Sequence, residues 1–309
     1  MPDWAGVLRE IEEEKTEHGR LAAGAADTIR RKYLNGLHDY TKRNVIAYYS
    51  GWLSKPGAMD IDITDEDKNG FMMAVHRLDR TKGLDLLLHT PGGSIAATQS
   101  IVDYLHQMFG SNIRAIVPHI VMSAGTMVAC SCKTIVMAKH SNLGPIDPHL
   151  DGMPTAGVLA EFQRACKEVK DDAAKIPIWQ AIVGQYRPAF LSQCENAIKW
   201  SNEFVRGQLE NVMFAGTPDA KARAGRAVRQ LSSYKGNKTH QRHIHFDECK
   251  NVVGLEVELL ETDPKLQDWV LTVHHCYMHA FMNTSAVKII ENQLGVALVK
   301  QQREVLIQR

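Results

Sequence analysis

The sequence predicts an α/β fold built around a largely parallel sheet, and three observations lead there. Short apolar runs of four to six residues alternate with stretches of helical periodicity across residues 44–137. The runs are continuously apolar rather than alternating with polar residues, the pattern of strands covered on both faces by crossover helices. A chain of 309 residues that is 44% hydrophobic and 23% charged can bury a sizeable core, which excludes disordered, fibrous and low-complexity classes.

The elements follow in order. Trp4 to Leu37, rich in Glu, Lys, Arg and Ala, reads as an amphipathic helical arm, so residues 1–40 form an N-terminal extension to a domain of residues 41–309. Next come a strand from Asn44 to Tyr49, a helix from Asp65 to Leu78, a strand from Leu84 to His89 and a helix from Ser94 to Phe109. A strand from Ile113 to Val117, a helix from Ala124 to Cys132 and a strand from Thr134 to Met137 complete the alternation. Helical stretches from Thr155 to Lys170 and Gln193 to Phe214, separated by Pro177 and Pro188, mark a helical insertion over about 152–235. A basic, turn-rich segment from Pro218 to Arg242 leads to a short helix at Asp247, a strand from Leu255 to Leu260 and a helix from Pro264 to Met282.

Thirty-six basic against 35 acidic residues give a formal charge of +1, so no long-range field draws the molecule to nucleic acid or anionic lipid. The charged start, with Glu10, Glu12, Glu13 and Glu14, does not read as a secretory signal, and a cytoplasmic location is expected. The most apolar window, Ala115 to Cys130, is broken by Pro118, His119 and Gly125 and is too short for a membrane anchor. Six cysteines are too sparse for a disulfide scaffold and read as reduced, mostly buried thiols.

Two segments stand at the ends of expected parallel strands, where open sheets place ligand sites. In His89-Thr90-Pro91-Gly92-Gly93-Ser94, a diglycine turn can leave peptide N–H groups unshielded and facing a cleft, ready to hold an oxyanion. In Pro118-His119-Ile120-Val121-Met122-Ser123-Ala124-Gly125, a serine followed by small residues begins a helix; it is either a plain N-cap or a nucleophile. The two segments lie about 30 residues apart on successive strands, which favours a shared site.

The stretches LLLHTPGGS, VMSAGTMVAC and SNLGPIDP resemble the superfamily of ClpP and signal peptide peptidase SppA, and most closely the serine dehydrogenase proteinases. TKRNVIAYYSGWL, IPIWQAIVGQY, CENAIKW, VGLEVELLE and KIIENQLG extend the resemblance over most of the chain. It implies a ClpP/crotonase-like spiral of ββα units, with Ser123 as nucleophile, Gly93 and Ala124 as oxyanion donors and Gly92 shaping the turn. It further implies a homo-oligomer acting on protein or peptide substrates. The chain carries no P-loop motif, so an unfolding ATPase would be a separate partner.

The base stays open between lysine and histidine. ClpP enzymes draw a histidine from the region that here reads HSNLGPIDPHL, which offers His140 and His149, 17 and 26 residues after Ser123. SppA-like enzymes use a lysine, for which Lys199 is the candidate, flanked by Ala197, Ile198 and Trp200 that would desolvate it. Lys238, His240 and His243 form a third group. His243, His245, His274, His275 and His279 lack a His-Glu-x-x-His pattern, so a buried or interface histidine cluster is expected rather than a metal. Lys221, Arg223, Arg226 and Arg229 read as a solvated or subunit-facing surface. No cofactor is expected. The leading expectation is a cytosolic serine peptidase; the alternatives are an inactive oligomeric scaffold or peptide-binding module, and an acyl-CoA enzyme using the same oxyanion hole.

Overall fold

Residues 1–19, 21–233, 236 and 239–302 are described by the computed structural model. The arm is two helices, not one. Helix α1 (Trp4–His18) is capped by the Asp3 carboxylate, which accepts the Gly6 N–H at 2.8 Å, and it stops at Gly19, whose φ of 61° lies in the left-handed region. Helix α2 (Ala22–Thr41) runs on to strand β1 (Asn44–Ser50). Helix α3 (Asp67–Val75), strand β2 (Leu84–His89), helix α4 (Ile95–Phe109), strand β3 (Ile113–Val117), strand β4 (Ile120–Val121), helix α5 (Ala124–Cys130) and strand β5 (Thr134–Met137) then alternate.

Strand β6 (Asn142–Leu143), a small β7–β8 hairpin (His149–Leu150, Met153–Pro154) and helices α6 (Thr155–Asp171), α7 (Ile176–Val183), α8 (Phe190–Gln208) and α9 (Ala220–Leu231) follow. The chain continues through strand β9 (Ile244–His245), strand β10 (Val257–Leu259), helix α10 (Pro264–Asn283), strand β11 (Ala286–Asn292) and strand β12 (Ala297–Gln301). The segment expected to be turn-rich therefore holds α9, where Arg223 pairs with Glu256 at 2.6 Å and lies over the Phe214 ring.

The main sheet has seven strands in the order β10-β5-β3-β2-β1-β11-β12, parallel from β10 to β1 and antiparallel beyond. Because side chains alternate across a strand, Ile46 and Tyr48 of β1 enter one core layer and Val45, Ala47 and Tyr49 the other. Helices α3, α4, α5 and α9 cover the first face, and α1, α2 and α10 the second. Burial on both faces is what the apolar strands require.

The hairpin β11–β12 has no counterpart among the expected strands. Its first strand is fully buried yet includes Lys288, Glu291 and Asn292, so it lacks an apolar signature. Each polar group is met inside: Glu291 accepts from Arg30 Nε at 2.5 Å, Arg31 Nε at 2.9 Å and the Tyr277 hydroxyl at 3.0 Å. Among the described residues no helix is long and apolar enough to cross a membrane.

The C-terminal histidines serve packing. His279 Nε2 donates to the Trp4 carbonyl at 3.0 Å, and the Trp4 ring lies against His275 and His279, docking α1 on α10. His274 is buried among Tyr49, His89 and His119, and burial, followed by the neighbouring imidazoles, pushes its pKa well below the usual histidine value.

Candidate active site

Strand β2 ends at His89, a fully buried imidazole 3.1 Å from the Ile120 carbonyl. Burial, then the nearby His119, lowers its pKa to about 3, so it is a neutral support below the turn. Beyond it, residues 90–94 lie between two other segments. On one flank the Met122 N–H donates to the Thr90 carbonyl at 2.9 Å. On the other, the Ile63 N–H donates to the Gly92 carbonyl at 2.7 Å, and the Ser94 N–H donates to the Ile63 carbonyl at 2.9 Å.

This register decides where Gly93 points. The bonds to Ile63 use the groups on either side of Gly93, so its own N–H faces the opposite flank, where residues 121–123 run. Among the described residues nothing accepts the Gly93 N–H or the Ala124 N–H. Only glycine fits the turn: φ is 99° at Gly92 and 151° at Gly93. A Cβ on Gly92 would lie 2.7 Å from Ser123 Cβ and 2.9 Å from Ala124 N, so turn and serine are in direct apposition.

Ser123 links β4 to α5 at φ 53° and ψ −121°, a conformation that L residues rarely adopt. It is half-buried, and its hydroxyl makes no capping bond to α5. The plain N-cap reading therefore has no support in the geometry. A strained strand-to-helix turn whose hydroxyl is not spent on capping is how a nucleophile is presented.

A second cluster forms around Asp147. The small sheet runs β4-β6-β9, with β4 parallel to β6 and β6 antiparallel to β9. The parallel ladder, in which Val121 faces Leu143, ends just before Ser123, and continuing the antiparallel register, in which Asn142 faces His245 and Leu143 faces Ile244, brings His240 opposite Asp147. The contact is made: His240 Nδ1 lies 2.9 Å from Asp147 Oδ1. His149 Nε2 lies 3.7 Å from Asp147 Oδ2, and the two imidazole centroids are 4.2 Å apart.

Burial acts to raise the Asp147 pKa, but the bonds from His149 and His240 outweigh it and hold the carboxyl below its usual value. A buried carboxylate on Nδ1 fixes the tautomer and leaves Nε2 of His240 free to work as a proton acceptor. Asp147, His149 and His240 are the one group among the described residues with three potential metal-ligand atoms in mutual reach, and each Asp147 oxygen already meets an imidazole.

The remaining base candidates fall out differently. The Lys199 side chain is 73% exposed on α8 with its amine 4.0 Å from Glu203, so the desolvation expected of a neutral lysine base is not found. Its apolar neighbours in sequence spread around the helix and leave the amine in water. His243 is exposed, and His140 Nε2 bonds the Pro118 carbonyl at 3.0 Å. Lys238 lies outside the described residues. Asp147 is the member that sequence reasoning passed over, although it lies within the SNLGPIDP stretch, two residues before His149.

A family model described as ClpP-like SDH-type serine proteinase matches residues 50–294. Two uncharacterized proteins of Methanocaldococcus jannaschii are also similar: one is 33% identical over 114 residues, covering 37% of this chain and 40% of its own length. The other is 28% identical over 212 residues, covering 66% of this chain and 64% of its own length. The matched stretches thus span less than two thirds of either relative.

Proposed function

Because the chain belongs to the ClpP-like SDH-type serine proteinases, we propose that it hydrolyses peptide bonds through an acyl-enzyme on Ser123. Ser123 Oγ attacks the substrate carbonyl while His240 Nε2 takes its proton. The tetrahedral oxyanion lies between the Gly93 and Ala124 N–H groups, each donor contributing about 3 kcal/mol to lowering the barrier. His240 returns the proton to the leaving amine, then activates the water that releases the acyl group. Asp147 holds the imidazole in its working tautomer throughout. Gly92 keeps the turn free of side chains against Ser123.

One observation carries this reading: the amides of Gly93 and Ala124, which have no acceptor among the described residues, flank a strained serine whose hydroxyl does not cap the helix it begins. The finer expectations stand within the same proposal: a spiral of ββα units, cytoplasmic location, protein or peptide substrates and a separate ATPase partner. Assembly into a homo-oligomer belongs to the same proposal, and Ile178 of α7, 62% exposed, is the apolar side chain whose substitution tests it.

Treating the intact chain with a fluorophosphonate tests the reading. A single adduct on Ser123, absent from Ser123→Ala, with casein cleavage lost in the same variant, is the expected result. A folded, assembled chain that neither labels nor cleaves would overturn it in favour of a scaffold. Thioester turnover that survives Ser123→Ala would instead favour the acyl-CoA use of the oxyanion hole.

A further inference from the structure

Lys288 is a fully buried amine on β11, and the chemistry above makes no use of it. Its Nζ donates to both Asp67 oxygens at 2.9 Å and to the Asp62 carbonyl at 2.5 Å, so all of its bonds end on α3 or on the segment just before α3. A buried ammonium persists only where such partners replace its water. Asp67 is equally buried and also accepts the Tyr48 hydroxyl at 2.8 Å and the Thr64 N–H at 3.0 Å.

The segment held in this way is the one that pairs with the diglycine turn. Residues 61–64 belong to no helix and no named strand, yet each is anchored. The Ile61 carbonyl accepts from Ser50 Oγ at 2.8 Å, Asp62 from Lys288, and the Thr64 N–H meets Asp67. Between them Ile63 gives its N–H to Gly92 and accepts from Ser94. A Cβ on Gly93 would lie 2.4 Å from Ile63 N, so the two backbones are packed as closely as backbones can be. A displacement of Ile63 must therefore displace Gly93.

We propose that Lys288 is a positioning residue for catalysis: by clamping residues 62–64 through Asp62 and Asp67, it sets the direction of the Gly93 N–H toward Ser123. The proposal rests on the peptidase reading for its kinetic consequence, though not for the clamp itself. Donor placement in an oxyanion site is steep, and an error near 1 Å costs on the order of a hundredfold in rate. Lys288 touches neither substrate nor Ser123 and acts only through Ile63.

The test compares the intact chain with Lys288→Met. Lys300 Nζ, 3.7 Å from Asp67 Oδ1, leaves that carboxylate a cation in the variant. If the single variant does not fold, Lys288→Met with Asp67→Asn removes both charges, a replacement that buried ion pairs often tolerate. Expected in the folded variant are a kcat at least about tenfold lower with KM within about twofold, and a peptide boronate bound at least about tenfold more weakly. Backbone amides of residues 63 and 94 should also exchange faster with deuterium. A merely stabilising role would lower the melting temperature and leave those three readings at wild-type values, and that result overturns the proposal. Should the wild type itself neither label nor cleave, the peptidase reading fails separately. Amide exchange at 63 and 94 then decides the clamp alone: faster exchange keeps it and unchanged exchange ends it.

Discussion

Ser123 holds its φ of 53° without the excuse of a missing side chain, and the strain is measurable. Ser123→Gly is expected to be about 1 kcal/mol more stable than Ser123→Ala, because glycine relaxes a conformation that any Cβ opposes. Thermal unfolding of the two variants checks this, and equal melting temperatures would mean that the turn carries no strain. At Gly92 the conflict is steric as well: Gly92→Ala puts a methyl 2.7 Å from Ser123 Cβ, and kcat should fall by on the order of a hundredfold in protein that still folds. These positions were legible in the sequence because their chemistry is local, a strand end, two glycines and a serine among small residues. Lys199 was not, because whether an amine is desolvated depends on which way a helix face turns.

Between elements, the pairing of β6 with β9 joins Asp147 to His240 across 93 positions of sequence, a meeting that no local pattern announces. Asp147 is held below its usual pKa, so its bonds favour the folded state fully above the unfolded value of about 3.9 and are lost as pH falls through the lower folded value. Stability of the wild type should therefore drop more steeply than that of Asp147→Asn below about pH 4; superimposable acid profiles would show the carboxylate to be uncoupled. The Arg30–Glu291 pair ties α2 to β11 with neither side chain more than 1% exposed. Arg30→Met leaves Glu291 with Arg31 and Tyr277 alone and should cost about 3 kcal/mol by denaturant unfolding. A change under about 0.5 kcal/mol would show the pair to be dispensable. The same buried charges hid β11 from sequence reading, since a strand that encloses Lys288 and Glu291 matches neither apolar nor alternating templates.

For the whole molecule, the parallel core of β1, β2, β3 and β5 was readable because short apolar runs have few other uses, whereas the two-helix arm and α9 turned on a single glycine and on charged residues packing by their stems. Assembly is testable at this scale: sedimentation at micromolar concentration should show an oligomer, and Ile178→Lys should yield smaller species of unchanged fold. A monomeric wild type would remove assembly from the reading. The order of the main sheet, in which β11 lies beside β1 although 235 residues separate Ser50 from Ala286, has one more consequence. On the ribosome, residues 62–64 and the diglycine turn emerge long before Lys288 can reach them. At about 5–20 residues per second, roughly ten seconds or more separate synthesis of the diglycine turn from synthesis of Lys288. Until β11 has been made, residues 62–64 lack the ammonium that anchors them, so the geometry of the diglycine turn is completed by a strand synthesised well after the turn itself.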